Sequence, residues 1–217
     1  MSAAVLIPAA GSGSRFGGDI PKQFLTLGGK PILQRVVERF LVHERVGRVV
    51  VAVAEMLLAE VKQSERVRFV AGGATRQQSV MNALAAVEEE ELVAVHDAVR
   101  PFFPYDMFEA LLDAAEKHGA SFPGLPVTDT MHVVRDDLIV QTPERKLLFA
   151  AQTPQCFRTA ILRDVLARTN RDDATDEAGL AAKLGYAVRL VPGDPRNFKI
   201  THPEDMERAE RIVEQLQ

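Results

Sequence analysis

A chain of 217 residues with 47% hydrophobic content can bury one well-filled core, which predicts a single domain over residues 1–217. Its 26 lysines and arginines against 30 acidic residues give a net charge of -4, which excludes a general attraction to nucleic acid or to an anionic membrane. The single cysteine predicts a protein without internal disulfides, and the five histidines lack the spacing of zinc ligands. The sequence has no signal-like start and no apolar run of about 18 residues, which predicts a cytoplasmic protein.

Short runs rich in valine and isoleucine alternate with amphipathic stretches in the first half of the chain. The runs predict buried β-strands at residues 4–7, 48–54, 67–70 and 92–95. The amphipathic stretches predict helices over residues 31–43, 75–87 and 104–118. This alternation is typical of an α/β fold with a doubly wound, mostly parallel, Rossmann-like sheet.

Residues 126–148 interrupt the alternation. The strand-like segments 130–134 and 138–142 flank a turn at Arg135-Asp136-Asp137, which predicts a β-hairpin. Because a long excursion from a compact domain usually has a role, we interpret these residues as a lid or a protruding dimerisation arm. The α/β pattern then resumes, with helices predicted over 159–168, 176–184 and 203–216 and a strand over 187–191.

The segment after the first strand, Pro8-Ala-Ala-Gly-Ser-Gly-Ser-Arg-Phe-Gly-Gly-Asp-Ile-Pro-Lys-Gln, is the strongest functional feature. Gly11 and Gly13 let backbone N–H groups face a ligand, and at the carboxyl end of a parallel strand such groups can bind phosphate. The segment lacks the ending of a Walker A loop and the third glycine of a dinucleotide-binding loop, which disfavours a dehydrogenase. Arg15 and Lys22 suit a triphosphate whose charge grows as pyrophosphate leaves. The alternative is a simple glycine turn with two ordinary surface charges.

A second segment, Leu92-Val-Ala-Val-His-Asp-Ala-Val-Arg-Pro, brings His96, Asp97 and Arg100 to the carboxyl end of a strand, where ligands bind in open α/β sheets. Asp97 could hold Mg²⁺ that bridges nucleotide phosphates, and Arg100 could bind the phosphate of a second substrate. The alternative is a local ion pair between Asp97 and Arg100. We consider it the weaker interpretation, because an isolated surface pair contributes little to stability. We interpret His96 as a residue that orients its neighbours.

Further candidates lie in three other segments. The glycine-opened loop 72–79 leads into a helix and suits packing against a base or ribose. Thr153 offers a hydroxyl in a loop after an apolar strand, and Lys199 lies on an extended piece before the last helix, where it could also be a solubility charge. Cys156 has no histidine partner by spacing, so we interpret it as a small buried residue and not as a nucleophile.

Together these segments resemble one family, the 2-C-methyl-D-erythritol 4-phosphate cytidylyltransferases of the non-mevalonate isoprenoid pathway. The similarity runs from about Val5 to Pro203 in the family's order: PAAGSGSRF, PKQF, GGATRQQSV, HDAVRPF, PVTDTM, AQTPQCF, TDEAG and NFKIT. Each motif alone is weak evidence, but the ordered set is specific. The resemblance implies a nucleotidyltransferase-type α/β domain, a homodimer formed through the 126–148 arm, and a Mg²⁺-dependent reaction of CTP with the phosphate of methylerythritol.

The resemblance also implies roles for individual residues by position. The catalytic cations would be Arg15 and Lys22, at the α-phosphate, and Arg145 and Lys199, at the erythritol phosphate. The base and ribose of CTP would contact Pro8, Ala9, Ala10, Gly11, Gly73 and Ser79. The acceptor would contact Asp97, Arg100, Thr130 and Thr153, with Asp97 also serving the metal. Arg145, at the returning end of the arm, would act in the active site of the other subunit.

Two alternatives remain open. A related enzyme that joins CTP to ribitol 5-phosphate shares the glycine loop, the PKQ motif and much of the HDAVRP segment. A non-catalytic nucleotide-binding regulator could share the fold without turnover. The presence of all four candidate catalytic cations, Arg15, Lys22, Arg145 and Lys199, argues against the regulator.

Overall fold

The computed structural model describes residues 1–11, 20–169 and 176–215. The β-strands of this part of the chain are β1 Ala3–Pro8, β2 Thr26–Leu27, β3 Lys30–Pro31, β4 Val46–Val53, β5 Val67–Ala71, β6 Leu92–Val95, β7 Ala120–Pro126, β8 Val133–Arg135, β9 Leu138–Gln141, β10 Phe149–Ala151, β11 Gln155–Arg158 and β12 Val188–Pro192. Eight of them form one sheet in the order β10-β7-β11-β6-β1-β4-β5, with β12 paired to β7. β10 and β11 run antiparallel to their neighbours, and the other pairings in this sheet are parallel. The predicted mostly parallel α/β sheet is confirmed.

Helices cover both faces of this sheet. They are α1 Ile32–Leu41, α2 Arg76–Leu84, α3 Tyr105–His118, α4 Thr159–Arg168, α5 Glu177–Lys183 and α6 Pro203–Gln215. Alternate residues of β1 enter different cores: Val5 and Ile7 pack with residues of α1 and α3, whereas Leu6 packs with residues of α2, α4 and α5. A strand buried on both faces explains why the sequence there is continuously apolar. No helix in the described part of the chain is long and apolar enough to span a bilayer.

The helix boundaries follow local signals. α3 ends at His118, the predicted last residue, and Gly119 follows as its C-cap, with φ of +100° and its N–H donated to Ala115 O at 2.8 Å. Thr75 caps α2 by accepting a hydrogen bond from the backbone N–H of Gln78 at 3.1 Å. Each predicted helix is present, and its ends differ from the prediction by three residues at most.

The sequence did not predict β7, although β10, β11 and β12 all pair with this strand. Its sequence, Ala-Ser-Phe-Pro-Gly-Leu-Pro, contains residues that normally interrupt strands. Pro123 is tolerated because it lies opposite the gap between β10 and β11, where its carbonyl accepts from Gln152 N at 2.8 Å. β11 was likewise interpreted as part of a loop, yet Cys156 pairs with both Ala94 and Ser121 inside the sheet.

Between β7 and β10 the chain leaves the sheet. β8 and β9 form a separate antiparallel pair, joined by a two-residue turn at Asp136 and Asp137 with φ of 48° and 60°. The hairpin predicted within residues 130–142 is therefore present. Several of its apolar side chains are exposed, including Leu138 at 69% and Ile139 at 60%.

Candidate active site

A cavity of about 560 Å³ opens at the carboxyl ends of β1, β5 and β6. This edge is where ligands bind in open α/β sheets. The described residues that line the cavity are Pro8, Ala9, Ala10, Gly11, Lys22, Gln23, Gly73, Ala74, Thr75, Arg76, Ser79, Asp97, Ala98, Val99 and Lys199. All six residues predicted to contact the nucleotide are in this set, together with Lys22, Asp97 and Lys199. Arg15 lies outside the described residues.

Two backbone segments approach each other closely to form one wall of the cavity. Ala9 N donates to Ala52 O and Gly72 N donates to Val53 O, both at 2.7 Å. A Cβ atom on Gly72 would collide with the Cβ of Ala10. The hydroxyl of Ser79 accepts from Gly73 N and donates to Thr75 O, both at 3.0 Å, so it fixes the loop that follows β5. Glycine at position 72 is therefore required for the two segments to meet.

Gln23 supports the segment of residues 9–11 that follows β1, a role that was not predicted from the sequence. It is 5% exposed, and its side-chain amide donates to Ala9 O and to Gly11 O, both at 2.8 Å. Lys22, 9% exposed, precedes it at the start of a short 3₁₀ helix, Lys22–Phe24. The PKQ motif thus contributes a cation to the cavity and an amide to the support of the loop.

Asp97 is the central carboxylate of the site. Its Oδ2 lies 3.1 Å from Arg100 Nε and 3.1 Å from Lys199 Nζ, and its Oδ1 lies 3.8 Å from Arg76 Nε. Burial alone would raise the pKa of this carboxyl, but Lys199, Arg76 and Arg100 together hold it below its usual range. The Asp97–Arg100 ion pair that we considered the weaker interpretation is present. It is not the isolated surface pair that the sequence suggested, because it lies within a largely buried network.

His96 orients the residues around Asp97, as the sequence indicated. It is fully buried, and its Nε2 lies 2.9 Å from Arg100 O while its Nδ1 lies 3.1 Å from the Thr153 hydroxyl. A carbonyl can only accept, so Nε2 carries the proton and Nδ1 accepts from Thr153. The same hydroxyl accepts from Asp97 N at 3.0 Å. Burial lowers the pKa of His96 to about 3, so the ring is neutral at physiological pH.

These contacts place Thr153 and Arg100 behind the cavity wall. Thr153 is 5% exposed, and its hydroxyl is engaged by His96 and Asp97. Arg100 donates through Nη1 to Asn197 O at 2.8 Å. Asn197, which is fully buried, donates in turn to Thr153 O at 2.8 Å. The loops after β6, β10 and β12 are thereby tied together under Lys199.

Arg76 and Glu177 belong to the same network and were missed by the sequence analysis. Arg76 Nη1 lies 2.6 Å from Glu177 Oε1, and Glu177 is 1% exposed. Burial raises the pKa of Glu177, whereas Arg76 keeps a raised pKa because Glu177 and Asp97 outweigh its own desolvation. Glu177 lies in the TDEAG motif, but it is 101 positions from Arg76 and no local sequence pattern links the two residues.

The remaining candidates lie on the 126–148 arm, on either side of β8 and β9. Arg145 is exposed and donates through Nη1 to Thr128 O at 2.7 Å. Thr130 is also exposed. Among the described residues, neither contributes to the cavity lining. Cys156 is fully buried, and burial raises the pKa of its thiol, which agrees with a packing role.

Asp97 is the one described carboxylate in the cavity lining that could meet a metal ion. The described residues contain no group of three or more His, Cys, Asp and Glu side chains able to hold a metal. Oδ1 of Asp97, with its longer contact to Arg76, is the better ligand atom of the two. Mg²⁺ commonly takes one carboxylate and completes its shell with phosphate oxygens and water, so this donor set fits a magnesium ion brought by a nucleotide.

Comparison with known proteins identifies the family. The model of the IspD family, 2-C-methyl-D-erythritol 4-phosphate cytidylyltransferase, matches residues 3–215. The chain is 42% identical to the protein of that name from Geobacter metallireducens, over 99% of both chains, and 43% identical to that from Symbiobacterium thermophilum, over 97% of this chain and 92% of the relative. The crystal structure of the Thermus thermophilus enzyme superposes with a TM-score of 0.82 at 38% identity, covering 99% of this chain and 100% of that one. The chain belongs to the 2-C-methyl-D-erythritol 4-phosphate cytidylyltransferase family.

Proposed function

We propose that this protein joins CTP to 2-C-methyl-D-erythritol 4-phosphate and releases pyrophosphate, forming 4-diphosphocytidyl-2-C-methyl-D-erythritol. The observation that carries the proposal is the cavity in which Lys22, Lys199 and Asp97 meet the glycine-opened loops after β1 and β5. The family name and the relatives' names support the same substrates and do not favour ribitol 5-phosphate. A lone buried cysteine suits the reducing cytoplasm, where we propose that the reaction takes place.

The chemistry needs charge stabilisation more than proton transfer. A phosphate oxygen of the acceptor attacks the α-phosphorus of CTP in line, and the bond from that phosphorus to the oxygen bridging to the β-phosphate breaks. The oxygen leaves with pyrophosphate, so no protein nucleophile or general base is required. We assign Lys22 and Arg15 to the charge on the α-phosphate and Lys199 to the acceptor phosphate. Their support is the position of both lysines in the cavity lining and the family motif for Arg15.

The nucleotide would lie against the wall made by residues 8–11 together with Gly73 and Ser79. Backbone groups there are fixed by Gln23 and by the Ser79 hydroxyl. Arg100 and Thr153 would act on the acceptor mainly by fixing Asp97, since both already bind Asp97 within the protein.

We further propose Mg²⁺ as the cofactor. It would be held by the nucleotide phosphates and by Oδ1 of Asp97, and when bound it would neutralise charge on the triphosphate. Its support is the single carboxylate in the cavity lining, among the residues that the structure describes.

A homodimer completes the proposal. The 126–148 arm exposes a set of apolar side chains to water: Met131, Val133, Val134, Leu138, Ile139, Val140 and Leu147. A two-stranded hairpin is only marginally stable alone, so these side chains require a partner surface, and a symmetric dimer is the commonest solution. Arg145 would then reach the acceptor phosphate in the partner's cavity, where its planar guanidinium can bind two oxygens at once.

A pyrophosphate-release screen tests the activity. Each of the four ribonucleoside triphosphates is combined with methylerythritol phosphate, ribitol 5-phosphate or a hexose 1-phosphate. We expect turnover with CTP and methylerythritol phosphate. Faster turnover with ribitol 5-phosphate, or none with any pair, would contradict the proposal.

A further inference from the structure

Glu177 is a buried carboxylate that the proposed reaction does not use directly. It is the first residue of α5 and is 1% exposed. Its Oε1 accepts from Arg76 at 2.6 Å, and within the described part of the chain its Oε2 is buried without a hydrogen-bond partner. Desolvation offsets much of what a buried ion pair contributes, so the pair with Arg76 is weak evidence that Glu177 serves stability.

The start of α5 is held against the sheet. Asp176 caps the helix by accepting from Gly179 N at 3.0 Å. Gln155 donates to the other oxygen of Asp176 at 2.8 Å and accepts from Ala178 N at 2.9 Å. Gln155 lies in β11 and pairs with Val95 of β6, two residues before Asp97. Glu177 is therefore fixed relative to the strand that carries the central carboxylate.

Arg76 lies between two carboxylates. Glu177 holds it at 2.6 Å, whereas Asp97 is 3.8 Å from its Nε. The other oxygen of Asp97 remains with Arg100 and Lys199, both at 3.1 Å. Glu177 thus competes with Asp97 for one of three cations. Without it, Arg76 would move toward Asp97 and displace Lys199, which is the most exposed of the three, with 35% of its side chain accessible.

We propose that Glu177 is a positioning residue for nucleotidyl transfer: by holding Arg76 in the cavity wall, it leaves Asp97 to orient Lys199. The assignment of Lys199 to the acceptor phosphate rests on the proposed function. The replacement of Lys199 by Arg76 at Asp97 does not rest on it, and this change of partner can be measured without an activity assay.

The kinetic test uses Glu177→Gln, Arg76→Gln and the double variant. We expect Glu177→Gln to lower kcat/KM for methylerythritol phosphate by about ten- to hundredfold, the loss typical of a misplaced reacting group. Arg76→Gln leaves Arg100 and Lys199 on Asp97 and should lower it less. The double variant should be more active than Glu177→Gln, because Glu177 acts through Arg76 and no Arg76 remains to displace Lys199. Glu177→Asp keeps the charge and should recover part of the activity. Activity of Glu177→Gln within about twofold of wild type, or multiplicative losses in the double variant, would overturn the proposal.

The second test needs no turnover. Lys199 is labelled with an amine-reactive ester in the full chain and located by mass spectrometry, with exposed Lys183 on α5 as the internal control. In Glu177→Gln the labelling rate of Lys199 should rise by about twofold or more, since an amine released from its 3.1 Å contact with Asp97 is more accessible to the reagent. An equal rise at Lys183 would indicate general loosening and would contradict the proposal, as would an unchanged rate at Lys199. If wild type fails the pyrophosphate screen, only the proposed function falls.

Discussion

The cavity and the hairpin differ in how their functional residues are held. Around Asp97, side chains are buried or partly buried, and most are engaged by partners from distant parts of the chain. On the 126–148 arm, many side chains are exposed, and Arg145 donates a hydrogen bond to Thr128. The network around Asp97 forms within one chain, whereas the arm would be completed by a partner surface in the proposed dimer. Under that proposal, one half of the site is organised by folding and the other would be organised by assembly.

The largest expected effect is at Lys22, within the organised region. We expect Lys22→Ala to lower kcat by about 10²- to 10³-fold with little change in CTP affinity, because its charge matters most as the α-phosphate becomes crowded with negative oxygens. Steady-state kinetics and calorimetric CTP titration measure the two quantities. Lys30→Ala, which removes an exposed lysine paired with Glu38, is the matched control. Near-normal kcat in Lys22→Ala would remove this residue from the chemical step.

Subunit mixing tests the proposed role of the 126–148 arm. Arg145→Ala and Lys22→Ala chains, each inactive alone, are mixed under exchange conditions. If Arg145 acts in the partner's cavity, a hybrid dimer has one intact site, so activity should recover to about a quarter of wild type. Hybrid dimers that form and stay inactive would show that the site is built within one chain.

Replacing Asp97 should affect both the stability of the fold and the dependence of activity on Mg²⁺, which can be measured separately. In Asp97→Asn three partly buried cations, Arg76, Arg100 and Lys199, lose a shared counter-charge, which we expect to lower the free energy of unfolding by about 3 kcal/mol, the lower end of the cost of breaking a buried ion pair. The Mg²⁺ concentration needed for half-maximal activity should also rise, as a neutral amide replaces a charged ligand. Chemical denaturation and metal titration check the two effects. An unchanged metal dependence would confine Asp97 to its ion-pair role.

A smaller effect is expected where the segment after β1 and the loop after β5 meet at Ala10 and Gly72. A Cβ at Gly72 would meet Ala10, so Gly72→Ala should separate the segments and raise KM for CTP by about tenfold, in line with the usual 1–3 kcal/mol cost of overpacking. Gly47→Ala is the control, since its nearest atom would lie 3.8 Å from the new Cβ. Equal KM values for both variants would contradict this account of the wall.

A further prediction concerns the dependence of stability on pH. The folded-state pKa of His96 is about 3, below its ordinary value of 6.5, so the unfolded chain binds more protons between these values. Stability from this residue is full above pH 6.5 and is lost as the pH falls toward 3. The melting temperature of wild type should decline over this range, and the decline should be shallower in His96→Asn. Parallel curves for the two proteins would assign the decline to other groups.

Much of the fold was predictable because its signals are local. Local sequence alone predicts the strands β1, β4, β5 and β6, because each is a short apolar run. It also predicts the end of α3, because a glycine follows it. β7 was not predictable, because Pro123 is acceptable only opposite a gap that two other strands create. The candidate site follows the same division. Its loops and Lys22 could be found from motifs, but the Glu177–Arg76 pair depends on tertiary contacts between residues far apart.

The two hydrogen bonds from Gln23 to Ala9 O and Gly11 O have a consequence for the order of events during binding. Because Gln23 follows Lys22 directly, the contact that fixes these carbonyls also fixes the backbone from which the lysine extends. Part of the entropy loss of building the nucleotide site therefore occurs during folding and not on ligand arrival, which is preorganisation in the usual sense. Binding energy from CTP then remains available for bringing the second substrate into line.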